Sequence, residues 1–326
     1  MRFARRLHVS NAFLAASLLA ISFGCNRQHI TTVAVVPKAS ADIFWQSVHA
    51  GALKAGIENG VRIVWDGPPN ETDIATEMQI AETMVNRRVD ALALAPSDRS
   101  AFKIVVDRAI NAGIPVIIYD SALDSSNYTS FVATNNALGG KLGADRLGEL
   151  LRGKGKIVVV RTLPGAASTT AREDGFRREL NEKFPGIQIL DERYGMASIA
   201  QALTVAENML TAHPDLDGFF CSNESGTEGA ARALKGRNLH LKLVGFDSSP
   251  SLISDLKAGW IESLVIQDPF EMGHRAVTEA VRAIRREQIA KHISLPPKLV
   301  NLGNLNDPAI QQQIFPDLKK YLGSAD

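Results

Sequence analysis

Cysteine is nearly missing from this chain: 326 residues contain two, Cys25 and Cys221. With no pair to spare, the fold does not depend on disulfides. Cys221, inside the apolar run GFFC, reads as a small buried hydrophobe. Charge of one sign is missing too, with 36 Lys and Arg against 35 Asp and Glu. Three of those cations (Arg2, Arg5 and Arg6) crowd the N-terminus and leave the body slightly acidic. Such a body does not suit a phosphate backbone, so no nucleic-acid partner is expected. The seven histidines show no metal-ligand spacing, and there is no G-x-S-x-G elbow. LGGKLG lacks the G-x-G-x-x-G order and has no strand immediately before it, and GAASTTARE lacks the Gly-Lys-Ser/Thr of a phosphate loop. Small residues in LGGKLG instead let a helix pack closely on a sheet. No cofactor, no metal and no catalytic set is expected, and an α/β enzyme is disfavoured for want of a base–nucleophile pair.

The N-terminus has its own signature. MRFARRLHVSN is basic, and AFLAASLLAISF adds 12 mostly apolar residues before Gly24-Cys25. That run is too short for a bilayer span but suits a secretory signal over 1–24. Ile21-Ser22-Phe23-Gly24-Cys25 resembles a lipobox in part: Gly24 fits, Ser22 stands where Leu is usual, and Phe23 is bulky. On this reading Cys25 becomes the lipidated first residue of an extracytoplasmic, membrane-anchored protein, with 25–30 as a tether. The alternative is an ordinary signal followed by a coincidental cysteine.

The rest of the chain is too long for one ordinary core and suits two domains. Strand-like apolar runs (TVAVVP, ALALAPS, VIIYDS, KIVVVRTL, LKLVGFD, ESLVIQDP) alternate with helix-period segments at 43–59, 74–88, 101–112, 139–152, 170–183, 199–212 and 270–286. Continuous apolar strands between amphipathic helices predict parallel sheets covered on both faces, in two α/β domains. Several apolar runs end in a polar residue: VIIYDS in Asp120, FFCSNES in Asn223, LVGFDSSP in Asp247 and LVIQDP in Gln267. Ligands of open parallel sheets bind at the carboxyl ends of strands, so these tips predict a cleft between domains. Helix capping is the competing explanation, although Ser249 before Pro250 is a better cap than Asp247, and Gln267 is a poor one.

Asp accepts, Arg172 donates, and Asn or Gln does both, which is an inventory for sugar hydroxyls. Phe44 and Trp45, just after the first strand and beside Asp42, offer rings for the C–H faces of a sugar. Two consecutive aromatics do not share one helical face, so at least one is expected in the cleft. At this point the chain resembles the periplasmic sugar-binding proteins of ABC importers, of the ribose- and galactose-binding type. The similarity runs from about Thr31 to Leu302 and rests on D-x-F-W after strand one, GIPVIIYDS, ATNNALGGKLGADRL, AREDGF, LTAHPD, FCSNE, LVGFDSSP and Gln267-Asp268-Pro269. It implies two Rossmann-like lobes joined by three crossovers near Thr134, Gln267 and Pro297. One lobe would take 31–134 plus 268–297, the other 135–267 plus 298–326. It further implies sugar contacts from Asp42, Phe44, Trp45, Asp120, Arg172, Asn223, Asp247 and Gln267, an ABC permease partner, a monomer and a periplasmic location. The chain departs from the ribose pattern at Ser121, where Arg is usual, and at Ala197, where a ring is often found, with Tyr194 close by. The calcium loop of the galactose binders is absent. A ligand-presenting sensor of the same fold is an alternative. A sugar-responsive repressor would need a helix-turn-helix where this chain carries a signal.

Overall fold

The computed structural model describes residues 29–323. Cys25 and the signal segment lie outside the described residues. The first lobe alternates strand and helix: β1 (Thr32–Val36), α1 (Ile43–Asn59), β2 (Arg62–Trp65), α2 (Ile74–Asn86), β3 (Ala91–Leu94), α3 (Lys103–Asn111), β4 (Val116–Tyr119) and β5 (Ser130–Thr134). The second repeats the plan with α4 (Asn136–Leu150), β6 (Lys154–Arg161), α5 (Ala167–Lys183), β7 (Gly186–Tyr194), α6 (Ile199–Ala212), β8 (Gly218–Cys221), α7 (Glu224–Arg237), β9 (Lys242–Phe246), α8 (Pro250–Lys257) and β10 (Ser263–Ile266). The chain then returns through α9 (Pro269–Ile284) and β11 (His292–Leu295) before β12 (Lys298–Val300), α10 (Pro308–Ile314) and α11 (Lys319–Leu322).

Two six-stranded sheets result, ordered β11-β5-β4-β3-β1-β2 and β12-β10-β9-β8-β6-β7. The first is parallel throughout, and in the second only β12 runs antiparallel. Both faces of each sheet are covered, which explains why the strands read as unbroken apolar runs. In β1, Val33 and Val35 join one core with α1 and α9, while Ala34 and Val36 join another with α2 and α3. The second sheet has the same double core, one side holding Phe219, Leu243 and Leu264, the other Phe220, Val244 and Val265.

Helix starts follow local chemistry. Ser249 caps α8, its hydroxyl accepting from the Leu252 N–H with Pro250 in the first turn, and Asp268 caps α9 in the same way at Glu271. Several boundaries differ from the periodic reading: α4 begins at Asn136 because Asn135 caps it, and α5 begins at Ala167. The Gly-rich stretch does allow close packing. A Cβ on Gly143 would meet the Phe220 ring, and one on Gly140 would collide with the Arg172 carbonyl.

The chain changes sheet after Thr134, after Ile266 and between Leu295 and Lys298. The end of the chain makes a further passage. Ile310 and Ile314 of α10 sit in the second-lobe core, and Gln313 donates from Nε2 to the Gln267 carbonyl at 2.8 Å. Beyond it α11 lies on α1, with Tyr321 against Phe270, ring centroids 5.7 Å apart. Within the stretch 298–326, expected in the second lobe, α10 packs on that lobe and α11 on the first.

Candidate ligand-binding site

Strand tips from both sheets face one cavity of about 560 Å³, part of it open to solvent. All eight residues singled out from sequence line it: Asp42, Phe44, Trp45 and Asp120 from the first lobe, Arg172, Asn223 and Asp247 from the second, and Gln267 at the crossover. Lys38, Glu71, Ser168, Thr169, Ala197 and Glu224 line it as well.

Asp120 and Asp247 occupy matching positions. Each follows the last residue of a central strand (β4 or β9), and each donates its backbone N–H to the neighbouring strand, at Val132 or Val265, over 2.9 Å. Each then turns into the left-handed region, with φ of 61° and 70°. Asp is among the few non-glycine residues that enter this region readily. The sharp turn leaves both carboxylates buried.

Asp247 holds its surroundings together. Its Oδ1 accepts from Gln267 Nε2 at 2.6 Å and its Oδ2 from the Glu224 N–H at 2.9 Å. Burial raises its carboxyl pKa, and the nearby Arg172 charge partly offsets that. Arg172 is 2% exposed; Nε donates to Asn136 Oδ1 at 2.8 Å, Nη1 to the Ser222 carbonyl at 2.9 Å, and the guanidinium lies over Phe246. Asn223 lines the cavity but is also the N-cap of α7, its Oδ1 accepting from Gly226 N–H while Nδ2 donates to Ser225 Oγ. Capping is therefore true of Asn223, while Ser249 does that work after Asp247.

Both aromatics reach the cavity because they lie in the first turn of α1. Trp45 is 2% exposed, packed edge-on against Phe44 and Tyr119, and donates from Nε1 to Glu71 Oε1 at 3.1 Å. Burial raises the Glu71 carboxyl, with Lys38 opposing it.

The largest omission of the sequence reading is Lys38. It is 3% exposed, with Nζ 2.6 Å from Asp120 and donating to Ser121 Oγ at 2.7 Å and Ser168 Oγ at 3.2 Å. Ser121, where the resemblance leads one to expect Arg, thus leaves room for a cation delivered from the end of β1. Ser168 belongs to α5, so this cluster also joins the lobes, as does the Arg99 N–H on the Gly165 carbonyl at 3.1 Å. Ala197 faces the cavity in the left-handed region (φ 47°), whereas Tyr194 lies under the Arg161 guanidinium.

Glu224 was also missed, although it directly follows Asn223. Burial, with Asp247 and Asp42 close by, pushes its carboxyl up to about 8, and its Oε2 is buried without a hydrogen-bond partner. Asp42 at the rim is raised by partial burial and by the Asp247 charge. Behind the cavity, burial pushes Glu77 up to about 8, and Ser97 donates to its Oε2. Among the described residues no cluster of three or more His, Cys, Asp or Glu offers a metal site.

The periplasmic binding protein domain matches residues 33–288. The chain belongs to that family. Periplasmic binding proteins similar to it include the ribose import binding protein of Bacillus subtilis, 27% identical over 78% of this chain and 82% of that protein. The D-ribose/D-allose-binding protein of Pseudomonas aeruginosa is 30% identical over 70% and 74%. Among solved structures, a carbohydrate transporter solute binding protein of Agrobacterium radiobacter in complex with D-arabinose superposes with TM-score 0.86 at 30% identity, covering 88% of this chain and all of that one. An ABC transporter solute binding protein of Agrobacterium vitis with bound D-fucose gives 0.85 at 33% identity, covering 87% and all of that chain.

Proposed function

We propose that this protein captures a monosaccharide or similar polyol between its lobes, outside the cytoplasmic membrane, and presents it to an ABC permease. The observation that carries the reading is the convergence of Asp42, Phe44, Trp45, Asp120, Arg172, Asn223, Asp247 and Gln267, from both lobes, on one cavity. Acceptors, a guanidinium and two rings match a ligand whose edges are hydroxyls and whose faces are C–H. Relatives that carry ribose, allose, arabinose and fucose in their names support the same substrate class. The role is capture without chemistry, by a monomer.

The lobes are drawn as 31–134 plus 268–297 and 135–267 plus 298–318, with α11 strapped to the first. Crossovers at Asn135, Gln267 and Pro296-Pro297 act as the hinge, and the Lys38–Ser121–Ser168 cluster meets when the lobes close. Cys25 is lipidated and holds the protein to the membrane. Palmitate should label the wild type and not Cys25→Ala; equal labelling overturns the anchor.

A thermal-shift screen across pentoses, hexoses, deoxysugars and polyols tests the main reading. A ligand at 100 times its dissociation constant should stabilise the fold by about 2.7 kcal/mol. No shift with any of them sinks it.

A further inference from the structure

The cavity holds more acid than its cations can match. Asp42, Glu71, Asp120, Glu224 and Asp247 line it, against Lys38 and Arg172. Lys38 lies on Asp120, and Arg172 is the cation acting on Asp247. That leaves Asp42, Glu71 and Glu224 over, with two of the three gathered around Asp247.

Hydrogen-bond capacity is skewed the same way. The donors are largely engaged: Lys38 with Asp120 and two serines, Gln267 Nε2 with Asp247, Asn223 Nδ2 with Ser225, and Trp45 Nε1 with Glu71. Acceptors are left over. Gln267 Oε1, on a side chain 3% exposed, has no donor; Glu224 Oε2, also without a partner, becomes a second free acceptor once its proton leaves, and the unpartnered Thr169 hydroxyl on the same wall can donate or accept. Buried acceptors without donors are uncommon, and each one asks for an explanation. A neutral sugar hydroxyl brings an acceptor along with each proton it donates. An ammonium brings three donors, no acceptor and one positive charge.

We propose, resting on the sugar-capture reading above, that the preferred ligand is an amine-bearing sugar or polyol whose ammonium seats among Asp42, Glu224, Asp247 and Gln267. Glu224 and Gln267 supply the lone pairs that are otherwise idle. Asp42 and Asp247 supply charge from the two lobes, so the cation draws them together. Phe44 lines the same end and leaves its ring for the apolar face. The high carboxyl pKa of Glu224 accords with this, because a proton on Glu224 does in the empty site what the ligand's charge does in the filled one.

Matched series test the idea on the purified protein by calorimetry at pH 7.5, close enough to the Glu224 pKa of about 8 that releasing its proton costs little while the amines still carry charge: galactose, galactosamine and N-acetylgalactosamine; the glucose equivalents; and pentitols beside their 1-amino-1-deoxy forms. At least one amine should bind about 10- to 150-fold more tightly than its alcohol, the range of a charge-assisted hydrogen bond. Its N-acetyl form, which keeps the nitrogen and loses the charge, should forfeit that gain. Glu224→Gln should shrink the amine-to-alcohol ratio at least ~10-fold. Alcohols that bind as tightly as their amines overturn the ammonium and leave sugar capture standing. If neither alcohols nor amines bind, both readings fall.

Discussion

The Asp247 carboxylate accepts two hydrogen bonds and carries a charge, and two substitutions separate these roles. Asp247→Ala removes the acceptor of the Glu224 N–H and of Gln267 Nε2, and places alanine at φ 70°. Each orphaned buried donor costs about 1 kcal/mol or more, and the left-handed backbone adds about 1. The sum is a loss of about 3 kcal/mol in stability together with weaker binding. Asp247→Asn keeps the shape and tolerates the backbone. Its Oδ1 still accepts from the Glu224 N–H. Its new amide faces Gln267, whose idle Oε1 receives it if the Gln267 amide turns over. The Asn variant should therefore lose under ~1 kcal/mol in a urea melt. Its affinity for the ligand found by screening should fall about 10- to 150-fold in a calorimetric titration, because the charge is gone from a dry site. Unchanged affinity in the Asn variant would refute the use of this carboxylate by the ligand, and would weaken the same inference for Asp120, its counterpart in the other lobe.

Three further expectations concern the scaffold. Lys38→Met strips the counter-charge from a buried Asp120 and should destabilise by about 3–5 kcal/mol in denaturant unfolding; a loss below ~1 would mean the pair is not what neutralises Asp120. Glu77 and Glu224 hold protons in the folded state up to about pH 8 that the unfolded chain releases near 4.5. Their stabilisation is complete below pH 4.5 and is lost as pH rises through about 8, by at most ~1.4 kcal/mol per unit and group. The melting temperature of the empty protein should fall from pH 6 to 9, less steeply in Glu77→Gln, and an equal slope in that variant would contradict the assignment. Gly140→Ala drives a methyl into the Arg172 carbonyl, whereas Gly236→Ala in α7 meets open space. The first should cost about 1–3 kcal/mol and weaken binding, while the second should be neutral or gain up to ~1; equal melts would refute the close approach of α4 and α5.

The alternation of strands and helices was legible because parallel strands are buried on both faces, and the inner strands β1, β3, β4, β8, β9 and β10 are nearly pure apolar runs. The polar tips were legible for the complementary reason: a carboxylate at the end of such a run has to be explained. Lys38, Glu71 and Glu224 escaped because each sits beside a connecting segment, where a charge is ordinarily solvated. Segments distant in sequence remove their water, and no spacing within one segment reveals what packs against it. The end of the chain was illegible on other grounds. HISL and KLV are short edge strands with polar positions, and α10 and α11 are too short to show a period.

The return of the chain through α9, β11, β12 and α10 has a consequence for when this protein can fold. Met272, Ala276 and Val277 of α9 complete the core beside β1, the first strand made. Val300, Ile310 and Ile314 complete the core of the second lobe. Neither lobe can be finished while the segment after Gln267 is still being synthesised, so the nascent chain stays loose almost to its last residues. Pairings that span the whole chain are slow to form. Under the extracytoplasmic role proposed above this delay is useful: the chain remains threadable for as long as it is being made.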